Sequence, residues 1–265
     1  MKIASNGIAL HVEDRGTGAP AVVFLHYWGG SSRTWQHVVD LLSSDVRTIA
    51  VDQRGWGRSD KPDGLYDLAN LAADIEGVVE ALRLAHYVLV GHSMGGKVAQ
   101  LIASRRPPGL VGLVLVAPSP PVPMNLPLDV RHGMVGAYVS RESIIATVEQ
   151  VLAGSPLGAD DLDSVVTDSL LGAAAAKAAW PLATSQEDIG PVVVNIAVPT
   201  LVISGEEDRV DPPAMLKHEL LTRIPQARLA LLPGIGHLVP LEAPGDLARL
   251  IRTFIQSLAP TTLAC

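Results

Sequence analysis

The stretch Tyr87-Val88-Leu89-Val90-Gly91-His92-Ser93-Met94-Gly95-Gly96-Lys97 decides how the rest of the chain is read. Residues 87–90 are apolar at every position, which suits a strand covered on both faces. Residues 91–95 form a Gly-x-Ser-x-Gly turn, and a helical pattern over 97–104 follows, ended by Arg105-Arg106-Pro107-Pro108. A serine on a sharp strand-to-helix turn is held in a strained backbone conformation, with its hydroxyl projecting above the sheet. Glycines at 91 and 95 leave room where a Cβ would meet neighbouring backbone. Free N–H groups at the helix start favour negative charge developing beside Ser93. The bland alternative is a tight structural turn. The strand leading in and the helix leading out favour a nucleophile.

Outward from this turn, short apolar runs lie at 21–26, 46–51, 113–116, 200–204 and 228–232, and residues 8–13 alternate as a half-buried strand does. Helical patterns lie at 32–42, 67–84, 212–223 and 244–258. The longest has Leu68, Leu71, Ala72, Ile75, Val78, Val79 and Leu82 at helical spacing. Strands alternating with such helices imply βαβ units, hence an α/β fold with a mostly parallel central sheet flanked by helices. Residues 119–188 break the rhythm. They open on Pro118-Ser119-Pro120-Pro121-Val122-Pro123 and then read helical without strands. A connection of this length with its own periodicity is expected to be a helical cap, inserted between core segments 1–118 and 189–265. A plain long connection is the alternative.

The chain has 265 residues, enough for one large domain with a buried core. Aromatics make up only 4%, so that core must rest on Val, Leu, Ile and Ala. The formal net charge of −7 comes with no basic run, which argues against nucleic-acid binding. The lone cysteine, Cys265, rules out an intrachain disulfide and a thiolate metal cluster. No His-Glu-x-x-His spacing and no Gly-x-x-x-x-Gly-Lys phosphate loop occurs, so neither metal nor cofactor is expected. Residues 1–7 lack the apolar core of a signal peptide, and no stretch is long and apolar enough for a membrane span. A cytoplasmic location and no membrane partner are the expectation. The oligomeric state is left open.

The elbow, with its strand, its helix and the alternation around it, resembles the α/β-hydrolase family over nearly the whole chain. Within that family it looks most like single-domain serine esterases and cofactor-free haloperoxidase or perhydrolase-type enzymes. The resemblance implies a chain order of nucleophile, acid, base. A serine needs a base to take its proton. Of eight histidines, His237 lies in the loop Pro233-Gly234-Ile235-Gly236-His237-Leu238 after the last strand, where that order puts the base. His11 lies upstream, His92 is locked in the elbow, and His37, His86, His132 and His218 sit on or beside helices. The loop Gly205-Glu206-Glu207-Asp208-Arg209-Val210 offers three carboxylates, of which the resemblance favours Asp208. Some relatives carry the acid one strand earlier, but Ala117-Pro118-Ser119-Pro120 holds none.

Acyl transfer also needs amide donors for the oxyanion, worth about 3–4 kcal/mol each. The resemblance implies the amides of Met94 and Trp28. The loop His26-Tyr27-Trp28-Gly29-Gly30 has Tyr27 where the family usually has glycine. Tyr27 either narrows the acyl side of the pocket or turns into the core. His26 and Asp52-Gln53-Arg54-Gly55-Trp56-Gly57-Arg58-Ser59 match the family as loop-organising segments. Tyr27, Tyr138, Trp180 and Leu238 are the candidate pocket residues, though for each one packing in the core competes with pocket contact.

The function these readings imply is hydrolysis of a small-molecule carboxylic ester or lactone, with a small to medium apolar acyl group, through a Ser93 acyl-enzyme. Perhydrolysis, cofactor-free haloperoxidation or carbon–carbon bond hydrolysis with the same three residues is the alternative. A ligand receptor on the same fold is a further one. Dehalogenase and epoxide hydrolase chemistry is disfavoured, because relatives doing it place Asp where this chain has Ser93.

Overall fold

The computed structural model describes residues 1–258. Cys265 lies outside the described residues. The strands are β1 (Lys2–Ser5), β2 (Ile8–Arg15), β3 (Ala21–Leu25), β4 (Thr48–Val51), β5 (Tyr87–His92), β6 (Leu110–Val116), β7 (Thr200–Gly205) and β8 (Ala227–Leu232). They form one sheet in the order β1-β2-β4-β3-β5-β6-β7-β8. β2 pairs antiparallel with both β1 and β4. Every other pairing is parallel.

Successive side chains of the inner strands go to opposite faces, as a two-residue repeat requires. Val22, Phe24, Val88, Val90, Val114 and Val116 bury one face. Val23, Leu25, Leu89, Leu113 and Leu115 bury the other. Two helices cover the first face: α1 (Gln36–Leu42) lies against the last helix, Pro244–Leu258, whose Leu247, Ile251 and Ile255 point inward. The opposite face is covered by α2 (Leu68–Ala81) and α3 (Met94–Ser104), which pack on each other. Asp67 caps α2, its side chain accepting from the Asn70 N–H.

Between β6 and β7 the chain is helical, with α4 (Leu128–Val135), α5 (Arg141–Thr147), α6 (Ala159–Leu171), α7 (Ala174–Leu182) and α8 (Gly190–Val193). The first four lie within residues 119–188, the span read as a helical insertion, and α8 lies just beyond it.

Three elements differ from the sequence reading. β1 is an added strand, turned into β2 by Asn6 and Gly7, both at positive φ (47° and 78°), as a two-residue hairpin turn demands. β6 begins at Leu110 rather than 113, because Gly112 extends the run under the Phe254 ring. The helix expected over 212–223 is a short α-helical turn, Pro213–Leu216, continued by a π-helical turn, Lys217–Leu221. Among the described residues no helix is long and apolar enough to cross a membrane.

Candidate active site

Ser93 stands between β5 and α3 with φ 52° and ψ −115°, a conformation costly for any residue with a Cβ. The elbow is held from below. The Ser93 N–H donates to the Val116 carbonyl at 3.1 Å, and its own carbonyl accepts from the N–H of Lys97 and of Ser119, each at 3.1 Å. A Cβ on Gly95 would lie 2.6 Å from the Leu25 carbonyl oxygen, so only glycine lets α3 start this close to β3. Ser93 is 5% exposed and sits at the start of the helix, where unpaired N–H groups favour an anion.

His237 and Asp208 come to the same sheet edge from the loops after β8 and β7. His237 Nδ1 lies 2.9 Å from Asp208 Oδ2, and both residues are buried. Asp208 Oδ1 accepts the N–H groups of Val210 at 2.9 Å and Asp211 at 3.0 Å, which fixes the carboxylate's rotation. Burial alone would lower the His237 pKa, but the charge of Asp208 and its hydrogen bond outweigh it, with help from Asp211 and Glu242, and the pKa is raised. Glu206 and Glu207 are exposed.

The backbone around His237 is tied to its surroundings at several points. The His237 N–H donates to the Leu152 carbonyl at 2.7 Å, so the loop after β8 is bonded to the helical insertion. Glu242 strengthens that junction: Oε2 accepts from the N–H of Gly154 (2.8 Å) and Gly236 (3.0 Å), and Oε1 from that of Leu238 (3.1 Å). The sequence reading had missed Glu242, because its partners come from two loops more than 80 positions apart.

The loop after β3 passes beside the elbow. His26 shapes it, with Nδ1 donating to the Tyr27 carbonyl at 2.7 Å and Nε2 accepting the Gln53 N–H at 3.0 Å. Asp52 accepts the N–H groups of Ser32 and Arg58, at 2.6 and 2.8 Å. These bonds give His26 and the 52–59 segment their loop-organising part. Among the described residues, the N–H groups of Trp28 and Met94 donate to no protein acceptor. N–H groups left without an internal acceptor are available to a bound anion.

Tyr27 has an ordinary negative φ and turns inward. Its ring lies 5.2 Å from that of His92, and it is 2% exposed. Tyr138 comes from the insertion, just after α4, and packs its ring against Trp28 with ring centroids 4.3 Å apart and the planes tilted by 41°. Its hydroxyl donates to the Trp28 carbonyl at 3.0 Å. Gly29, at φ 103°, lets it approach, since a Cβ there would meet the Tyr138 ring at 2.5 Å. Trp180 and Leu238 are buried in the same apolar cluster as Trp28, Tyr138 and Met94.

The insertion is anchored elsewhere too. Asp168 of α6 accepts from Ser31 Oγ (2.7 Å) and Arg33 Nη2 (2.6 Å). Lys97 of α3, wholly buried, donates to the Val122 and Ser185 carbonyls, each at 3.1 Å, so it holds both strands of the insertion's neck. Burial pushes its pKa down to about 8. Among the described residues no group of three or more His, Cys, Asp or Glu side chains is arranged to hold a metal ion.

The chain as a whole resembles known proteins. The model of the Alpha/beta hydrolase family matches residues 22–250. A non-heme haloperoxidase from Rhodococcus erythropolis is 32% identical over 256 residues, covering 88% of this chain and 91% of that protein. A 2-(acetamidomethylene)succinate hydrolase from Mesorhizobium japonicum is 30% identical over 263 residues, covering 94% and 92%. Among solved structures, a thermophilic esterase from Thermogutta terrifontis superposes with a TM-score of 0.82 at 26% identity, covering 97% of this chain and 98% of its own.

Proposed function

Since the chain belongs to the alpha/beta hydrolase family, we propose that it is a serine hydrolase that cleaves a carboxylic ester or lactone with a small to medium apolar acyl group. One observation carries this reading: the strained Ser93 at the start of α3 shares its sheet edge with the 2.9 Å His237–Asp208 pair.

In this mechanism Ser93 Oγ attacks the acyl carbon while His237 Nε2 takes its proton. The His237 Nδ1–H stays hydrogen-bonded to Asp208, which keeps the reactive tautomer and stabilises the imidazolium. The amides of Trp28 and Met94 receive the negative charge on the carbonyl oxygen. His237 then protonates the leaving alcohol, and water repeats the sequence to free the acid and restore Ser93. The anions around His237 raise its proton affinity, which favours the imidazolium formed in each half-reaction.

A second reading is supported by the likeness to the haloperoxidase. Peroxide would replace water at the same acyl-enzyme and leave as a peracid.

The test is labelling with a fluorophosphonate, together with turnover of p-nitrophenyl esters and lactones of graded chain length, with and without peroxide and bromide. Label on Ser93, and loss of both label and turnover in Ser93→Ala, is the expected result. Peracid formation exceeding hydrolysis would favour the second reading. Absence of labelling and of turnover on every activated ester would overturn both. Tight ligand binding with turnover far below ~1 s⁻¹ would instead indicate a receptor.

A further inference from the structure

The loop after β7 carries two buried carboxyl groups. Asp208 has all its oxygens engaged, as described above. Asp211, three residues on, is 0% exposed and poorly served. Its Oδ2 lies 3.4 Å from Ser119 Oγ, at the long limit of a hydrogen bond. Its Oδ1 has no partner among the described residues. A buried carboxylate normally has a cation or several donors around it, so this environment calls for an explanation.

The groups facing Asp211 come from four elements. Asp208 is on its own loop and is tied to it by the Asp211 N–H. His237, on the loop after β8, is bonded to the same Asp208 carboxylate that accepts the Asp211 N–H; Lys97 stands on α3 and Ser119 on the loop after β6. Lys97 directs hydrogen bonds to Val122 and Ser185. Ser119 donates its N–H to the Ser93 carbonyl, so Asp211 touches a residue bonded to the elbow itself. His237 faces Glu242 and His92 as well.

We propose that Asp211 is a positioning residue for His237: it is the second carboxyl group of the base's surroundings, and it competes with the imidazole for a single proton. The inference rests on the reading of His237 as the base for Ser93. Burial pushes Asp211 up to about 8; His237 opposes this, Asp208 adds to it, and Ser119 and Lys97 oppose it. The influence is mutual, because the Asp211 charge raises His237. With Asp211 protonated, the ring faces the Asp208 charge alone and is free to accept the Ser93 proton. Once Asp211 ionises, the ring faces a second anion and holds its proton more tightly. Two groups coupled in this way release their protons in two macroscopic steps.

The experiment is an NMR titration of the His237 ring nitrogens in the wild type, Asp211→Asn and Ser119→Ala, alongside pH profiles of kcat/KM. In the wild type the His237 signals should move in two steps, the second in the alkaline range. Asp211→Asn should lose the alkaline step and the matching inflection in kcat/KM. Ser119→Ala keeps the carboxyl group but removes the hydroxyl that favours its ionised form, so the alkaline step should move to higher pH. Superimposable titrations in the wild type and Asp211→Asn would overturn the proposal. If Asp211→Asn does not fold, an alkaline step unmoved in Ser119→Ala overturns it equally. Fluorophosphonate labelling of the same samples separates the two readings. A labelled Ser93 with unchanged titrations defeats the role of Asp211 alone, and an unlabelled Ser93 defeats the serine mechanism whatever the titrations show.

Discussion

His92, the middle residue between Gly91 and Ser93, donates from Nε2 to the backbone carbonyl of His237 at 2.8 Å. A carbonyl only accepts, so Nε2 carries the proton. Burial, with His237 beside it, holds the His92 pKa far below its ordinary value, and the ring stays neutral. The elbow therefore grips the backbone of His237. His92→Ala removes one buried hydrogen bond, about 1 kcal/mol. The expected result is a kcat about fivefold lower at the pH optimum, with KM changed less. An unchanged kcat would show that this bond does not hold the base in place.

Tyr138→Phe should loosen the loop that carries the Trp28 amide. The variant keeps the ring packed against Trp28 and loses only the 3.0 Å bond to its carbonyl. A kcat lower by several-fold is expected, in line with one hydrogen bond of about 1 kcal/mol. Equal kcat values for the variant and wild type on short and long acyl esters would argue against this support.

The pH dependence follows from the raised pKa of His237. On the proposed mechanism His237 can take a proton only above that pKa, so the acid limb of kcat/KM should have its midpoint above the ordinary histidine value of about 6.5. Asp208→Asn leaves burial less opposed, so the limb should move to lower pH while kcat falls. A limb that stays in place would contradict the role given to Asp208. The sign for stability is opposite to that for activity. A folded-state pKa above the unfolded one contributes stability that is complete below the unfolded pKa and is lost as pH rises through the folded one.

Arg54 and Asp74 form an ion pair with both side chains 1% exposed. Arg54 Nε reaches Asp74 Oδ2 at 2.6 Å, and Nη1 reaches the Leu65 carbonyl at 2.7 Å. Breaking a buried pair leaves a charge uncompensated, at a cost of about 3–5 kcal/mol. Asp74→Asn should lower the urea midpoint accordingly, while any folded fraction still labels at Ser93. A loss below about 1 kcal/mol would mean that the site rehydrates.

Much of the fold was legible in the sequence because its signals are local. Uniformly apolar runs marked the inner strands, and the break in rhythm after Pro118 marked the insertion. The loops bearing Ser93, Asp208 and His237 could be found because each follows such a run. The orientation of Tyr27 could not be read, since it depends on how the loop after β3 meets His92 across the sheet. Asp211 was visible as an acid three residues past Asp208, but its burial depends on Ser119 and α3 closing over it. β1 was within reach, because Asn6-Gly7 is a strong hairpin signal and the segment before it alternates in burial.

Glu242 and the Leu152 carbonyl bind the insertion and the loop after β8 into one piece. Any motion that lifts residues 152–154 from the core pulls on the backbone of His237 as well. On the proposed mechanism, a molecule opened at that edge would be disarmed, because Ser93 would lose the partner that takes its proton. Reactivity and enclosure would then arrive together, with the hydroxyl unprimed whenever bulk water had free passage to it. Substrate and product would have to pass by a route away from residues 152–154, or at a time separate from the chemistry.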